Sequence, residues 1–384
     1  MFDKSPQLFP ARNHFAYLSH CSISPLYGHA RDQACDVLTA QSRNGVLGNM
    51  QFSSVLDSLR THLGSVLQTA PENMAFVKNT AEGMAMIANG FPFQPGDEII
   101  SYIHEYPSNH YPWRLQDNRG VFLRLLPNRD MTRGLCGSRP CGWSLEDLEG
   151  MISPKTRMVA ISHVQFSSGF AAELEQLGAL CRHKGIDLVV DAAQSLGCLP
   201  ISPEEWNISA VVASGWKWLL GPVGTGVMYT SPAFRSKLDH VLTGAELMRQ
   251  DSDYLNHAWD PHRSARRFEY STSHVALAAA LETCLREVHA HYGVEAIRAE
   301  TFRLQDMLLQ GLNLDKYTPL VFPRGHRSGI LALICHEREP DAVQGLLKDR
   351  GVIASARSGV LRMAPFFYNS EDEIEKAVSA LNTI

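Results

Sequence analysis

The chain has 384 residues, of which 45% are hydrophobic and 20% charged, and its formal net charge is −5. This composition is typical of a globular protein with a sizeable core and about two or three domains. The small negative charge argues against a nucleic-acid or membrane surface as a partner. No apolar run reaches transmembrane length, and residues 1–10 lack the apolar core of a signal peptide. We therefore expect a cytoplasmic protein.

The predicted elements begin with a short strand near residue 16 and amphipathic helices at about residues 28–43 and 52–67. From about residue 74 to residue 230, short apolar strands alternate with helices, which predicts a mainly parallel sheet with helices on both faces. The strands are predicted at residues 74–77, 98–102, 121–126, 158–162, 186–191 and 208–213. Beyond residue 229, long helices and short strands are typical of a smaller α+β domain.

Residues 128–142 interrupt this alternation with many Gly, Arg and Pro residues, and we predict an exposed loop or insertion there. The segment contains Cys136 and Cys141, a C-x4-C pair without the second pair that a zinc site needs. The other six cysteines are scattered. We therefore expect free thiols and no bound metal.

Five polar stretches follow predicted strands, and they surround Thr80, Tyr106, Gln165, Asp191 and Lys217. Ligands of open parallel sheets bind at the carboxyl ends of the strands, so these stretches are predicted to share one site. At a helix start, the hydroxyl of Thr80 and free backbone N–H groups can bind an anion. By itself, however, Thr80 is better interpreted as an ordinary N-cap.

Lys217 stands between Trp216 and Trp218, directly after an apolar strand. An amine among apolar neighbours is poorly solvated as an ammonium ion, so its pKa should fall, and a neutral amine can form a Schiff base with an aldehyde. The alternative is a lysine whose stem packs on tryptophan while its amine reaches water. Asp191, at the end of another buried strand, favours the Schiff-base interpretation.

A strand that ends in Asp191, followed by Ser-Gly-x-Lys at residues 214–217, resembles the cofactor site of pyridoxal-phosphate (PLP) enzymes of fold type I. Over nearly the whole chain, the order of motifs resembles the class V aminotransferases, which include cysteine desulfurases, isopenicillin N epimerase-like proteins and carbon–sulfur lyases. The resemblance implies PLP as cofactor. It also implies an α/β fold with a large PLP-binding domain, residues 15–285, and a small α+β domain formed by residues 1–14 and 286–384.

The resemblance also implies roles for individual residues. Lys217 corresponds to the Schiff-base lysine and catalytic base, Asp191 to the partner of the pyridine nitrogen, and Gln194 to the partner of the phenolic oxygen. Tyr106 stands where desulfurases stack a histidine on the ring. Contacts to the cofactor phosphate are implied for Thr80, the Ala81 N–H, Ser214, the Trp216 indole and, from the other subunit of a homodimer with shared sites, Thr272.

The substrate implied by the resemblance is a small α-amino acid. Arg362 corresponds to the arginine that binds the substrate carboxylate, and Arg357 is a weaker candidate. The sequence departs from the family at Trp216, where desulfurases have histidine, and at Phe166, where a polar residue is usual. It also lacks the desulfurase nucleophile, because no cysteine lies between Arg357 and Arg362.

We therefore predict an aminotransferase or a β-lyase that cleaves carbon–sulfur bonds, and not a persulfide-forming desulfurase. An epimerase is less favoured, because epimerisation usually needs a second base on the opposite face of the cofactor ring. A further alternative is a non-catalytic protein of the PLP fold that binds a partner or senses an amino acid. The presence of Lys217, Asp191, Gln194 and Arg362 argues against that alternative.

Overall fold

The computed structural model of the chain describes residues 2–250, 253–323 and 325–384. Met1, in the predicted small domain, lies outside the described residues. So do Asp251 and Ser252, in the predicted large domain, and Arg324. Among the helices that are described, none combines the length and the apolar composition that crossing a bilayer requires.

Thirteen strands are described. They are β1 (Ala16–Tyr17), β2 (Met74–Val77), β3 (Glu98–Tyr102), β4 (Phe122–Leu126), β5 (Thr156–Ser162), β6 (Asp187–Asp191), β7 (Ala210–Ser214), β8 (Gly226–Thr230), β9 (Tyr317–Pro319), β10 (Leu331–Cys335), β11 (Val352–Ile353), β12 (Ser355–Arg357) and β13 (Val360–Met363).

Twelve α-helices accompany them in the described ranges. They are α1 (Gly28–Asn44), α2 (Val46–Met50), α3 (Val55–Leu67), α4 (Thr80–Gly90), α5 (Tyr111–Arg114), α6 (Leu145–Met151), α7 (Leu174–Lys184), α8 (Pro232–Arg235), α9 (Val275–Cys284), α10 (Val294–Gly311), α11 (Pro340–Asp349) and α12 (Glu371–Thr383).

The large sheet has seven strands in the order β2-β8-β7-β6-β5-β3-β4. All pairings are parallel except those of β8, which runs antiparallel to β2 and β7. In β5, Met158 and Ala160 enter the core on one face, while Val159 and Ile161 enter the core on the other. Burial on both faces explains the nearly continuous apolar runs of the central strands. The predicted mainly parallel sheet flanked by helices is confirmed.

A second sheet of four antiparallel strands, in the order β12-β13-β10-β9, lies in the C-terminal part of the chain. Strands β12 and β13 are joined by only two residues, Ser358 and Gly359, with φ of 51° and 75°. Positive φ at both central residues is typical of the tightest hairpin turns. The segment between Arg357 and Arg362 is therefore a turn and the start of a buried strand.

Strand β1 pairs in parallel with β11, and Leu18 belongs to the same apolar cluster as Leu304, Leu308 and Leu361. Residues 16–18 therefore pack with the C-terminal part of the chain. The division into residues 15–285 and residues 1–14 with 286–384 stays a prediction.

The prediction of an exposed loop at residues 128–142 is wrong for its cysteines. Cys136 and Cys141 are buried against Ala332 and Val360 of the small sheet. Arg139 Nε donates a hydrogen bond of 3.3 Å to the carbonyl of Gly359. The segment thus packs against the β12–β13 hairpin, because its apolar thiols find a partner surface there. All eight cysteines are free thiols, as predicted.

Segment 268–272 is held against the large sheet by a buried ion pair. Glu269 accepts a hydrogen bond from Arg60 Nη1 at 2.5 Å and from the Phe76 N–H at 2.9 Å. Both charged side chains are buried. Burial raises the pKa of Glu269, and Arg60 opposes that shift. Loss of the carboxylate would leave the Arg60 charge and the Phe76 N–H without this partner.

We expect Glu269→Ala to lower the free energy of unfolding by about 3 kcal/mol, because it removes the buried partner of the Arg60 charge and leaves only the exposed Asp57 to pair with it. Urea denaturation monitored by circular dichroism measures this. The exposed Glu246 is a matched control, and Glu246→Ala should cost less than about 0.5 kcal/mol. Equal effects of the two substitutions would contradict the assignment of a stabilising role to the pair.

Candidate active site

The carboxyl ends of the parallel strands bring the predicted residues together. Asp191 ends β6, Ser214 ends β7, and Tyr106 follows β3. Gly226 of β8 pairs with Val77 at the end of β2 and with Ser214 at the end of β7. Since α4 begins shortly after β2, the start of α4 and the end of β7 both lie near this glycine. A Cβ on residue 226 would lie 2.8 Å from Asn79 Cα, which explains why glycine is needed there.

Lys217 lies three residues beyond β7, half-buried beside the fully buried Trp218. Its amine forms no hydrogen bond or ion pair with the part of the chain that the structure describes. The Nζ atom lies 5.6 Å from the centroid of the Tyr106 ring. Burial lowers the pKa of Lys217, the charges of Asp191 and Cys21 oppose this shift, and Arg362 reinforces it. A larger fraction of the amine is therefore neutral, as the sequence predicted.

Asp191 is almost completely buried and accepts a hydrogen bond from the Ala193 N–H at 2.9 Å. Burial raises its pKa, and the Ala193 hydrogen bond and the charge of Lys217 oppose that shift. A buried carboxylate with one backbone donor is poorly compensated. Its chemistry suits a positively charged ligand atom, such as a protonated ring nitrogen.

An anion cradle lies at the start of α4. The hydroxyl oxygens of Thr80 and Ser214 are buried and have no hydrogen-bond partner among the described residues. The N-cap of α4 is Asn79, whose side chain accepts the Glu82 N–H at 2.9 Å. The interpretation of Thr80 as an ordinary N-cap is therefore wrong, because Asn79 is the N-cap residue of α4. The free hydroxyls and the helix N-terminus fit a phosphate group.

Gln194 is held in place by two contacts. Its Nε2 donates to the Cys21 carbonyl at 2.8 Å, and its Oε1 accepts from the Trp218 indole at 3.2 Å. Tyr106 is exposed to 44% and lies edge-on to Phe166, with ring centroids 5.2 Å apart. Tyr106 therefore has a free surface beside Lys217 on which a flat ring can pack.

Of the two predicted arginines, only Arg362 is buried. It donates to the Phe166 carbonyl at 2.6 Å and to Ser22 Oγ at 3.3 Å, and its Nε is buried without a partner in the described ranges. Arg357 is exposed at the end of β12. The structure thus brings Arg362 into the site and leaves Arg357 at the surface.

The remaining predicted contacts lie at the edge of the site. Trp216 is half-buried, and its carbonyl accepts two hydrogen bonds from Ser24, at 2.9 and 3.1 Å. Ala81 and Thr272 are exposed in the single chain. The side chains of Ala81 and Thr272 are therefore accessible to solvent or to a second chain.

Sequence reasoning missed one group. Glu105 is buried, accepts hydrogen bonds from the Ser162 N–H and hydroxyl and from Gln165, and its pKa is raised by burial to about 7. Its signal was an acidic residue three positions past the apolar strand 98–102. The thiol of Cys21 lies 3.4 Å from Ser355 Oγ, and its charge would raise the pKa of Lys217.

A cavity of about 880 Å³ lies between α7 and α10, and His163 is part of its lining. Its lining includes neither Lys217 nor Asp191. The Lys217 recess, in which the charges of Asp191 and Arg362 act on the amine, is the candidate site.

The family model described as "Aminotransferase class-V" matches residues 33–375 of this chain. A probable cysteine desulfurase of Pyrococcus abyssi is 25% identical over 331 residues, which cover 82% of this chain and 79% of that protein. An uncharacterized aminotransferase of Bacillus subtilis, YcbU, is 25% identical over 384 residues, with 98% and 96% covered. The solved cystine C–S lyase C-DES in complex with cysteine persulfide has a TM-score of 0.87 at 20% identity, with 97% and 98% covered, and thus shares the fold.

We expect inorganic phosphate to raise the thermal midpoint of the dialysed protein, because it can occupy the cradle at the start of α4. Thr80→Val should weaken phosphate binding about fivefold, the value of one hydrogen bond of about 1 kcal/mol. Titration with phosphate at constant ionic strength measures this. Thr61→Val, on the exposed side of α3, is the control. An unchanged phosphate affinity in Thr80→Val would contradict phosphate binding by the Thr80 hydroxyl.

Proposed function

Since this chain belongs to the class V aminotransferases, a family of PLP-dependent enzymes, we propose that it acts on a small α-amino acid as an aminotransferase or a carbon–sulfur β-lyase. The observation that carries this proposal is the Lys217 amine, whose pKa is lowered by burial, in one recess with Asp191 and Arg362. This recess combines a base, an anion and a carboxylate-binding cation.

PLP fits the residues of the recess. The unpartnered hydroxyls of Thr80 and Ser214 would bind its phosphate at the start of α4, together with the Ala81 N–H and the Trp216 indole. Asp191 would hold the ring nitrogen, and Gln194, which has one free N–H, would donate to the ring oxygen. When bound, PLP supplies a sink for the electron pair released at the substrate's Cα.

Lys217 is the proposed catalytic residue. Its burial disfavours the ammonium form, so the amine is better able to accept the proton from the substrate's Cα. Tyr106, which lies 5.6 Å from the Lys217 amine and edge-on to Phe166, would help to exclude water once a ligand ring packs on it. Exclusion of water strengthens the electrostatic interactions of the site.

Arg362 is proposed to bind the substrate carboxylate. A guanidinium group pairs with a carboxylate through two N–H groups, and Arg362 has a buried Nε without a partner in the described chain. Its contacts with Phe166 and Ser22 fix its orientation. The exposed Arg357 stays a weaker candidate for the same role.

We propose further that the enzyme is not a persulfide-forming desulfurase. Such an enzyme needs an exposed, mobile thiolate that reaches the substrate's sulfur. Here the two-residue turn Ser358–Gly359 leaves no loop and no cysteine between Arg357 and Arg362. Cys21 is the thiol that could replace it, but it is buried and contacts Ser355. A buried thiol beside a hydroxyl lacks the mobility that sulfur relay requires.

With cysteine or cystine as substrate, we therefore expect pyruvate, ammonia and a sulfur product, without alanine. Lys217 removes the Cα proton, and the sulfur leaves Cβ with its bonding electrons. Quantifying pyruvate and alanine after incubation measures this. Lys217→Ala should lose at least a thousandfold in turnover, the effect of removing a general base, whereas Lys155→Ala, at an exposed lysine far from the site, should not change it.

Stoichiometric alanine with sulfur bound to a cysteine of this chain would contradict the exclusion, and loss of that sulfur in Cys21→Ser would identify the carrier. Inertness toward both substrates, with keto acid formed from another amino acid, would favour transamination. Change of configuration at Cα alone would favour the epimerase. Turnover of no amino acid by the PLP-loaded protein would leave the non-catalytic alternative.

We also propose a cytoplasmic homodimer with shared sites, in which Thr272 of one chain contacts the phosphate in the other. Thr272 is exposed, and exposed apolar residues such as Leu47, Leu255 and Trp259 are available for an interface. Eight free thiols fit a reducing compartment. One observation argues against shared sites: the Tyr270 hydroxyl contacts Lys78 and Glu82 near the start of α4 in the same chain. This contact holds the segment of Thr272 close to its own chain.

Mixing Lys217→Ala chains with Thr272→Val chains distinguishes the two arrangements. If Thr272 acts across the interface, one site of each mixed dimer carries both changes and the other carries neither. Activity should then recover to about a quarter of the wild-type value after random exchange. Absence of recovery with proven chain exchange would show that Thr272 acts within its own chain, and a monomer in sedimentation would contradict the dimer.

A further inference from the structure

The buried carboxyl of Glu105 connects β3, β5 and the loop that carries Tyr106. Its Oε1 accepts the Ser162 N–H at 2.8 Å and Gln165 Nε2 at 3.0 Å, and its Oε2 accepts the Ser162 hydroxyl. Ser162 is also the register partner of Asp191 in β6. Because Glu105 directly precedes Tyr106 in the chain, its hydrogen bonds hold the loop of Tyr106 against β5, the strand that pairs with β6 of Asp191.

No positive charge within the described ranges compensates Glu105. The groups that face it are polar or acidic: Ser162 and Gln165 after β5, Asp191 on β6 and Tyr102 on β3. Burial raises the pKa of Glu105 to about 7, its three hydrogen bonds oppose the shift, and the charge of Asp191 adds to it. The carboxyl therefore has accessible ionised and protonated forms near neutral pH.

Gln165 can form a hydrogen bond with both the ionised and the protonated form of Glu105. Its Nε2 donates to Glu105, and its Oε1 is buried without a partner among the described residues. Rotation of the amide by half a turn would present Oε1, which could accept a hydrogen bond from a protonated Glu105. Alternatively, the Ser162 hydroxyl can turn from donor to acceptor. The ionised carboxyl thus has three donors, and the protonated carboxyl has an acceptor for its O–H group.

We propose that Glu105 is a positioning residue with two hydrogen-bonded states, and that its ionised state supports catalysis by fixing Tyr106 over Lys217 and by strengthening the negative field at Asp191. This inference rests on the proposed function of the Lys217 recess. A negative Glu105 makes Asp191 a better partner for a positive ring nitrogen. Protonation of Glu105 removes that charge and turns the Gln165 amide.

The test is the pH profile of Glu105→Gln, which mimics the protonated carboxyl and can keep every hydrogen bond through Ser162 and Gln165. In the wild type, kcat/KM should rise about tenfold from about pH 5.5 to about pH 8.5, the effect of one pKa unit on a neighbouring group. In Glu105→Gln this rise should disappear. Glu98→Gln, at the start of β3 and thus at the opposite end of the strand from Glu105, is the matched control and should keep the wild-type profile.

A second measurement does not depend on activity. A carboxyl whose pKa is higher in the folded state contributes stability that is lost as the pH rises. The wild type should therefore lose stability relative to Glu105→Gln between pH 4.5 and about pH 7, with the unfolding constant rising by at most tenfold per pH unit. Equal pH dependence of unfolding in the two proteins would overturn the inference.

A loss of activity by the same factor at every pH in Glu105→Gln would mean a merely structural role and would also overturn it. Failure of the proposed function is separate, because it would appear as full turnover in Lys217→Ala or as no turnover in the wild type. In either case the unfolding measurement still decides whether Glu105 titrates as proposed.

Discussion

The arrangement of this protein depends on the burial of one amine beside one carboxylate. Lys217 lies just past the end of β7, and Asp191 ends the neighbouring β6, so the parallel sheet brings the two side chains to the same recess. Burial disfavours the charged form of both groups, and their mutual attraction offsets only part of that cost. The recess therefore remains electrostatically incomplete until a ligand supplies compensating charge.

The same principle explains the unsatisfied polar atoms around Lys217. Buried hydroxyls, amides and guanidinium groups in folded proteins almost always have partners, so each orphaned one needs an explanation, and a bound ligand is one of them. Four of the orphans are Thr80 Oγ1, Ser214 Oγ, Gln165 Oε1 and Arg362 Nε. Thr80 and Ser214 are suited to an anion, Arg362 to a carboxylate, and Gln165 to a change of state in Glu105. Their separation in sequence shows that the fold assembles these functions from distant segments.

The β12–β13 hairpin restricts the chemistry in another way. A turn of two residues with positive φ joins Arg357 to the buried strand of Arg362, and residues 128–142 pack against it through Arg139. A hairpin of this kind holds Arg362 rigidly but has no room for a mobile nucleophile. This geometry supports the proposal that Arg362 binds substrate and that the enzyme does not relay sulfur. Cys21, held by Ser355 on the other side, belongs to the same restricted region.

The sequence by itself determined the alternation of strands and helices, the sheet that this alternation requires, and the setting of Lys217 and Asp191 after apolar strands. These follow from local periodicity, because burial on both faces of a sheet makes strands apolar throughout. Only the tertiary structure decided that Asn79 caps α4 and frees the Thr80 hydroxyl, that Arg357 is exposed while Arg362 is buried, and that Glu105 is hydrogen-bonded to Ser162. These features depend on contacts between residues far apart in sequence, and such contacts leave no period or motif along the chain.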